Sequence, residues 1–91
     1  MAQRISPEER QLLKLIEHLP VSTENRTRWS EEIQQSGFSE ELAEEIRQAL
    51  TTAPEGEQEN EAVTRTRYMM EWTQVVKRWR LAYQSRHFAR R

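Results

Sequence analysis

The 91-residue chain has no cysteine and no aspartate, only two glycines and three prolines, and no long apolar run. Without cysteine there is neither a disulfide framework nor a thiolate metal site. No stretch approaches the roughly 18 consecutive apolar residues that span a bilayer, so no transmembrane helix is expected. The opening Met-Ala-Gln-Arg-Ile-Ser-Pro-Glu-Glu-Arg lacks the apolar centre of a secretory signal, and the expected compartment is the cytoplasm. The missing aspartate carries information of its own. All fifteen acids are glutamate, a good helix former, whereas aspartate favours caps and turns. Scarce glycine and proline point the same way, to an all-α fold.

Hydrophobic residues make up 35% of the chain against 32% charged, and the mean hydropathy of −1.00 makes disorder a competitor to folding. Three Trp, two Tyr and two Phe offset the modest apolar content, because each aromatic side chain buries a large area. The chain is long enough for one domain and too short for two. Its net charge of −1 hides a strong polarity: residues 1–61 sum to −8 and residues 62–91 to +7. An acidic front and a basic tail can attract each other within one fold or between copies.

The apolar residues recur at helical spacing. Ser6, Pro7 and Glu9 form an N-cap, a first-turn proline and a capping box. Leu12, Leu15, Ile16 and Leu19 then share one face up to Pro20, and Leu13 lies off that stripe. A second helix runs from about residue 23 to 36, ending at Gly37 as a left-handed cap. Trp29 and Ile33 carry nearly all its apolar content, which makes it a peripheral helix on one large anchor, with Phe38 turning inward after the glycine. Ser39 caps a third helix, with Glu40 and Glu41 in its first turn and Leu42, Ile46, Ala49 and Leu50 as its buried stripe. Residues 53–58 read as a polar linker and the most mobile internal segment. From 59 to 88 there is neither proline nor glycine. Over this stretch Tyr68, Met69, Trp72, Val75, Val76, Trp79 and Tyr83 fall within an arc of roughly 120°.

The expected architecture is therefore a small helical bundle in which three short helices pack on one long C-terminal helix, forming a single domain over 1–91. An acidic three-helix unit (1–52) precedes the linker (53–58), the long basic amphipathic helix (59–88) and a frayed tail (89–91). The core should centre on Trp72, Val76 and Trp79.

Catalytic chemistry is hard to assemble from this inventory. His18 and His87 stand far apart, and neither has a Cys, Asp or second His at metal-ligand spacing. No glycine-rich phosphate loop exists. The doublets Glu31/Glu32, Glu40/Glu41 and Glu44/Glu45 cannot converge on one substrate atom, because neighbours on a helix point about 100° apart. No catalytic residue, metal, cofactor or small-molecule substrate is expected, and the chain reads as a non-enzyme. Residues 33–46 have a helix–Gly turn–helix pattern like that of DNA-reading motifs. The second helix of the pair, however, carries Glu40, Glu41, Glu44 and Glu45 against one Arg47, which repels phosphates. The Gly37-Phe38-Ser39 turn also resembles the loop of ubiquitin-associated domains, with Ser36 where that family customarily has Met and no matching short third helix behind it.

The tail is the most informative region. After Glu71 there are no acids, while Lys77, Arg78, Arg80, Arg86, Arg90 and Arg91 accumulate beside Trp72, Trp79, Tyr83 and Phe88. In the plainest reading the aromatic stripe is core and the basic residues are its solvated back. In a second, residues 77–91 bind nucleic acid by phosphate neutralisation and base stacking. In a third, the helix meets an anionic membrane surface or a partner groove. Met70, Leu81 and Phe88 lie about 160–180° from Trp72, and a long helix with hydrophobes on two sides suits an interface. The expected function is thus an interaction or adaptor module whose partner surface comprises Met70, Lys77, Arg78, Leu81, Arg86 and Phe88. The partner is either another copy of the chain or a protein with an acidic or apolar surface. Nucleic-acid binding by 77–91 is the alternative.

Overall fold

The computed structural model describes residues 5–89, with side chains described through residue 85. Four helices follow one another: α1 (Pro7–His18), α2 (Thr23–Ser36), α3 (Glu40–Thr51) and α4 (Glu59–Ala89). Helices α1 and α3 both pack on α4, and α2 packs on α1. The long helix is the spine of the bundle, as its periodicity implied.

Local chemistry starts each short helix. Ser6 Oγ accepts the Glu9 N–H and Glu9 Oε1 accepts the Ser6 N–H, both at 3.1 Å, which closes the capping box. Ser22 and Ser39 cap α2 and α3 by accepting from the N–H groups of Asn25 and Leu42, each at 3.2 Å. The stripe residues Leu12, Ile16, Leu19, Leu42, Ile46 and Leu50 are buried with Trp29, Ile33, Phe38, Ala43, Trp72, Val76 and Trp79 in one core. Trp72 is 1% exposed and donates its indole N–H to the Ala43 carbonyl at 3.2 Å. Phe38 meets Trp72 and Trp79 edge-on, with ring centroids 5.7 and 4.8 Å apart. Among the described residues, no buried side-chain nitrogen or oxygen lacks a hydrogen-bond partner.

Polar ties between elements hold the helices in register, among them three that involve Glu9, Glu45 and Arg65. The second oxygen of Glu9 accepts the Phe38 N–H at 2.8 Å, fixing the start of α1 to the α2–α3 turn. Trp29 donates its indole N–H to Glu45 at 2.9 Å, and Arg28 reaches the same oxygen at 2.7 Å, so α2 is fastened to α3 as well as to α1. Arg65 of α4 makes the third tie. Its guanidinium forks onto Glu57 at 2.8 and 3.2 Å and donates to the Leu50 and Thr51 carbonyls at 2.7 and 3.2 Å. It thus caps the end of α3, where carbonyls lack helical partners. It also pins the last part of the linker, and the Glu57 side chain is only 9% exposed.

The helix bounds agree with the sequence reading to within a residue, and two details differ. Gly37 has φ +86° but ψ 168°, so the positive φ is there without the left-handed helical cap expected at this position. Its N–H still continues the helix by bonding the Ile33 carbonyl at 2.9 Å. Tyr83 was expected in the buried stripe and is 49% exposed, leaning on Trp79 with ring centroids 5.3 Å apart. The cover supplied by the shorter helices ends at Trp79, one turn earlier than the helical phase alone suggests. The backbone of α4 stays helical through Ala89; residues 90–91, most of the expected frayed tail, lie outside the described residues.

Candidate interaction surface

Helix α4 has two different faces because its apolar residues divide between opposite sides. The inner face carries Tyr68, Met69, Trp72, Val75, Val76 and Trp79 into the core or against it. The outer face keeps three large apolar side chains in solvent: Val63 at 59%, Met70 at 63% and Leu81 at 60% exposure. Single exposed hydrophobes are ordinary. Three at helical spacing on the side that no other helix covers form a row.

Around this row stand charges that form no ion pair among the described residues. Lys77 and Arg78 are exposed, and among the described residues neither takes part in an ion pair; the same holds for Arg67 and Glu71. Arg80 behaves differently. Its guanidinium is bidentate on Glu40 of α3, at 2.7 and 2.6 Å. The hydrogen bonds from Arg80 hold the Glu40 carboxyl below the usual carboxylate range, and the same contact raises the Arg80 pKa. Arg80 therefore serves the bundle, while Lys77 and Arg78 are open to a partner. Of the six residues expected at the partner surface, Met70, Lys77, Arg78 and Leu81 lie together on the outward side of α4. The side chains of Arg86 and Phe88 are outside the described set. Val63 belongs to the same row, and the sequence signal for it was its position seven residues before Met70.

Two concave features lie between α3 and α4. The Glu40–Arg80 pair separates two shallow hollows. One, of about 170 Å³, reaches down to Ala43, Trp72 and Val76 with Glu44 and Arg47 at its rim. The other, of about 320 Å³, is lined by Phe38, Trp79, Tyr83 and Gln84. Drug-sized ligands occupy clefts of about 300–1,000 Å³ lined by apolar groups with a few converging polar ones. Here the polar groups are already paired with one another: Glu40 with Arg80, and Glu44 with Arg47 at 2.6 Å. Among the described residues, no helix is long and apolar enough to cross a membrane.

No protein-family model matches the chain, and no curated protein and no solved structure matches it either. The glycine of the turn that resembles ubiquitin-associated domains has a local reason. A Cβ at Gly37 would stand 3.3 Å from the Glu9 oxygen that receives the Phe38 N–H.

Proposed function

We propose that this protein is a non-enzymatic interaction module that binds through the outward face of α4. The observation that carries the reading is the row Val63, Met70 and Leu81, each about 60% exposed on the helix whose other side carries Trp72, Val76 and Trp79 into the core. An apolar row with a charged border is the general anatomy of a protein interface. Lys77 and Arg78 flank it without ion pairs among the described residues, which favours a partner bearing acidic groups.

The competing reading, nucleic-acid binding by 77–91, has less support. Base stacking requires exposed rings; within the described part of 77–91, Trp79 is 6% exposed, and the half-exposed Tyr83 ring leans on it. Arg80 is engaged by Glu40.

A photo-crosslinking residue placed at Leu81 or Met70 in the native cells tests the proposal. Protein adducts at these positions, and none from a control at the exposed Glu24 of α2, are expected. No adduct from either outward position would remove the surface. Titration with single- and double-stranded nucleic acid at two salt concentrations addresses the rival. Phosphate-driven affinity falls steeply with salt, and absence of binding at low salt eliminates it.

A further inference from the structure

The outward face of α4 contains a seam that is complementary to itself. Stepping along it by alternating fours and threes gives Val63, Arg67, Met70, Gln74, Lys77, Leu81 and Gln84. That is the spacing of the two contact positions of a coiled coil. All seven residues are exposed, and α1 and α3 sit on the opposite side of the helix, so a second helix can approach without collision.

We infer that the occupant of this face is a second copy of the chain, its α4 antiparallel to the first about a two-fold axis that crosses between Val75 and Val76. The inference rests on the interaction-module reading and specifies its partner. In that register Met70 of each copy faces Leu81 of the other, Gln74 faces Lys77, and Arg67 faces Gln84. Glu71 and Arg78, on one flank of the seam, come within about 3 Å of each other along the axis, counted at 1.5 Å per residue. Their long side chains can close that offset, and the two-fold forms the pair twice. Both residues lack an ion-pair partner within the described part of their own chain.

Charge selects this orientation over the parallel one. A parallel in-register pair sets Arg67 against Arg67 and Lys77 against Lys77 in the seam itself, with like charges opposed at short range. Turning one helix round replaces both clashes with amide partners. Polar residues at seam positions lower affinity while fixing register and orientation. The expected complex is accordingly a weak, specific dimer, smaller than a standard interface. A closed two-fold pair also consumes the seam and does not propagate.

The native absence of cysteine gives a direct test. Sedimentation equilibrium between about 10 µM and about 1 mM, the range appropriate to a small interface, should show the mass rising from 11.0 kDa toward twice that value. Under mild oxidation M70C and L81C should each remain monomeric, because like positions lie about 16 Å apart along the axis, far beyond disulfide reach. Their equimolar mixture should link as a heterodimer, and M70C/L81C should link to itself. Disulfides from either single variant alone would overturn the antiparallel register. E71R and R78E should each weaken dimerisation about tenfold, because the two-fold makes each substitution remove the pair twice, and E71R/R78E should restore it. A double variant as weak as the singles would overturn the pairing. All four positions are exposed, so circular dichroism of every variant should match the parent. A chain that stays monomeric throughout while a crosslinker at position 81 still captures a different protein overturns the homodimer and leaves the interaction surface in place. No adduct of any kind removes both.

Discussion

Replacing Trp72 with alanine is the sharpest test of the fold on which the outward face depends. The side chain is 1% exposed, lies edge-on to Phe38 and donates to the Ala43 carbonyl. Truncating a buried Trp to Ala costs about 3–5 kcal/mol in transfer and cavity terms. Domains of this kind have about 5–15 kcal/mol in total, so the variant should lose between a fifth and nearly all of its stability. At roughly 4–8 °C per kcal/mol for a chain of this size, the melting temperature should fall by about 12–40 °C. Urea denaturation followed by far-UV circular dichroism measures this without needing the lost indole as reporter. W72F keeps an aromatic ring and loses the donor, and should cost about 1–2 kcal/mol. Y83A serves as the contrast: its ring leans on Trp79 but is half exposed, and an aromatic contact of that kind is worth about 0.5–1.5 kcal/mol. If W72A lies within about 1 kcal/mol of the parent, or is indistinguishable from Y83A, the helices do not close over this ridge.

Other parts of the structure give further expectations. R65M should lower the melting temperature more than E57Q does, because losing the guanidinium strands both the enclosed Glu57 carboxylate and the last carbonyls of α3; equal effects in thermal scans would deny Arg65 its capping role. G37A should cost about 1–2 kcal/mol by urea denaturation, since alanine resists positive φ and its Cβ would press on Glu9; a neutral result would show that the turn relaxes freely. Stability should also decline in acid. The Trp29 indole, and then Arg28, hold the Glu45 carboxyl below its ordinary pKa of 4.5, and Arg80 does the same for Glu40. A lowered folded pKa gives stability that is complete above the ordinary value and lost as the pH falls through the lowered one, so E45Q should flatten the decline below about pH 4.5. The Glu40–Arg80 share should be small and salt-sensitive, both side chains being about half exposed.

Interactions spanning three or four residues were legible in the sequence, and those spanning fifteen or more were not. Ser6 and Ser39 announced their helices because each cap bonds an N–H three residues on. The inner arc of α4 followed from helical phase alone. The second bond of Glu9 depends on Phe38, 29 residues away. The capping of α3 by Arg65 depends on α4 crossing its end, at a separation of 15 residues. In the sequence Arg65 looks like an ordinary surface charge, and Glu9 shows only its capping-box role. Within the linker, whose composition is polar, Glu57 is held by an arginine eight residues on, a contact that composition does not show. Tyr83 shows a different limit. Phase fixes the side of a helix on which a residue lies, whereas the length of the neighbouring helices decides whether anything covers it. Met70 and Leu81 could be placed on the outward face beforehand because that inference needs phase only.

The division of labour along α4 gives the outward seam a mechanical role beyond contact. The first half of the helix is anchored by Arg65, Tyr68, Met69 and Trp72, whereas Trp79 is its last core residue among those described. The helix nevertheless runs on to Ala89. A segment that short has little helical stability in isolation, since helices under about 12–15 residues are marginal in water without packing. An antiparallel pair would lay the thinly supported segment of one copy along the firmly anchored half of the other, Leu81 against Met70. Dimer formation should therefore slow amide exchange over residues 80–85 and leave the already packed 65–76 nearly unchanged. Exchange at 80–85 that is independent of protein concentration, across a range in which the mass doubles, would mean that the copies associate through some other face.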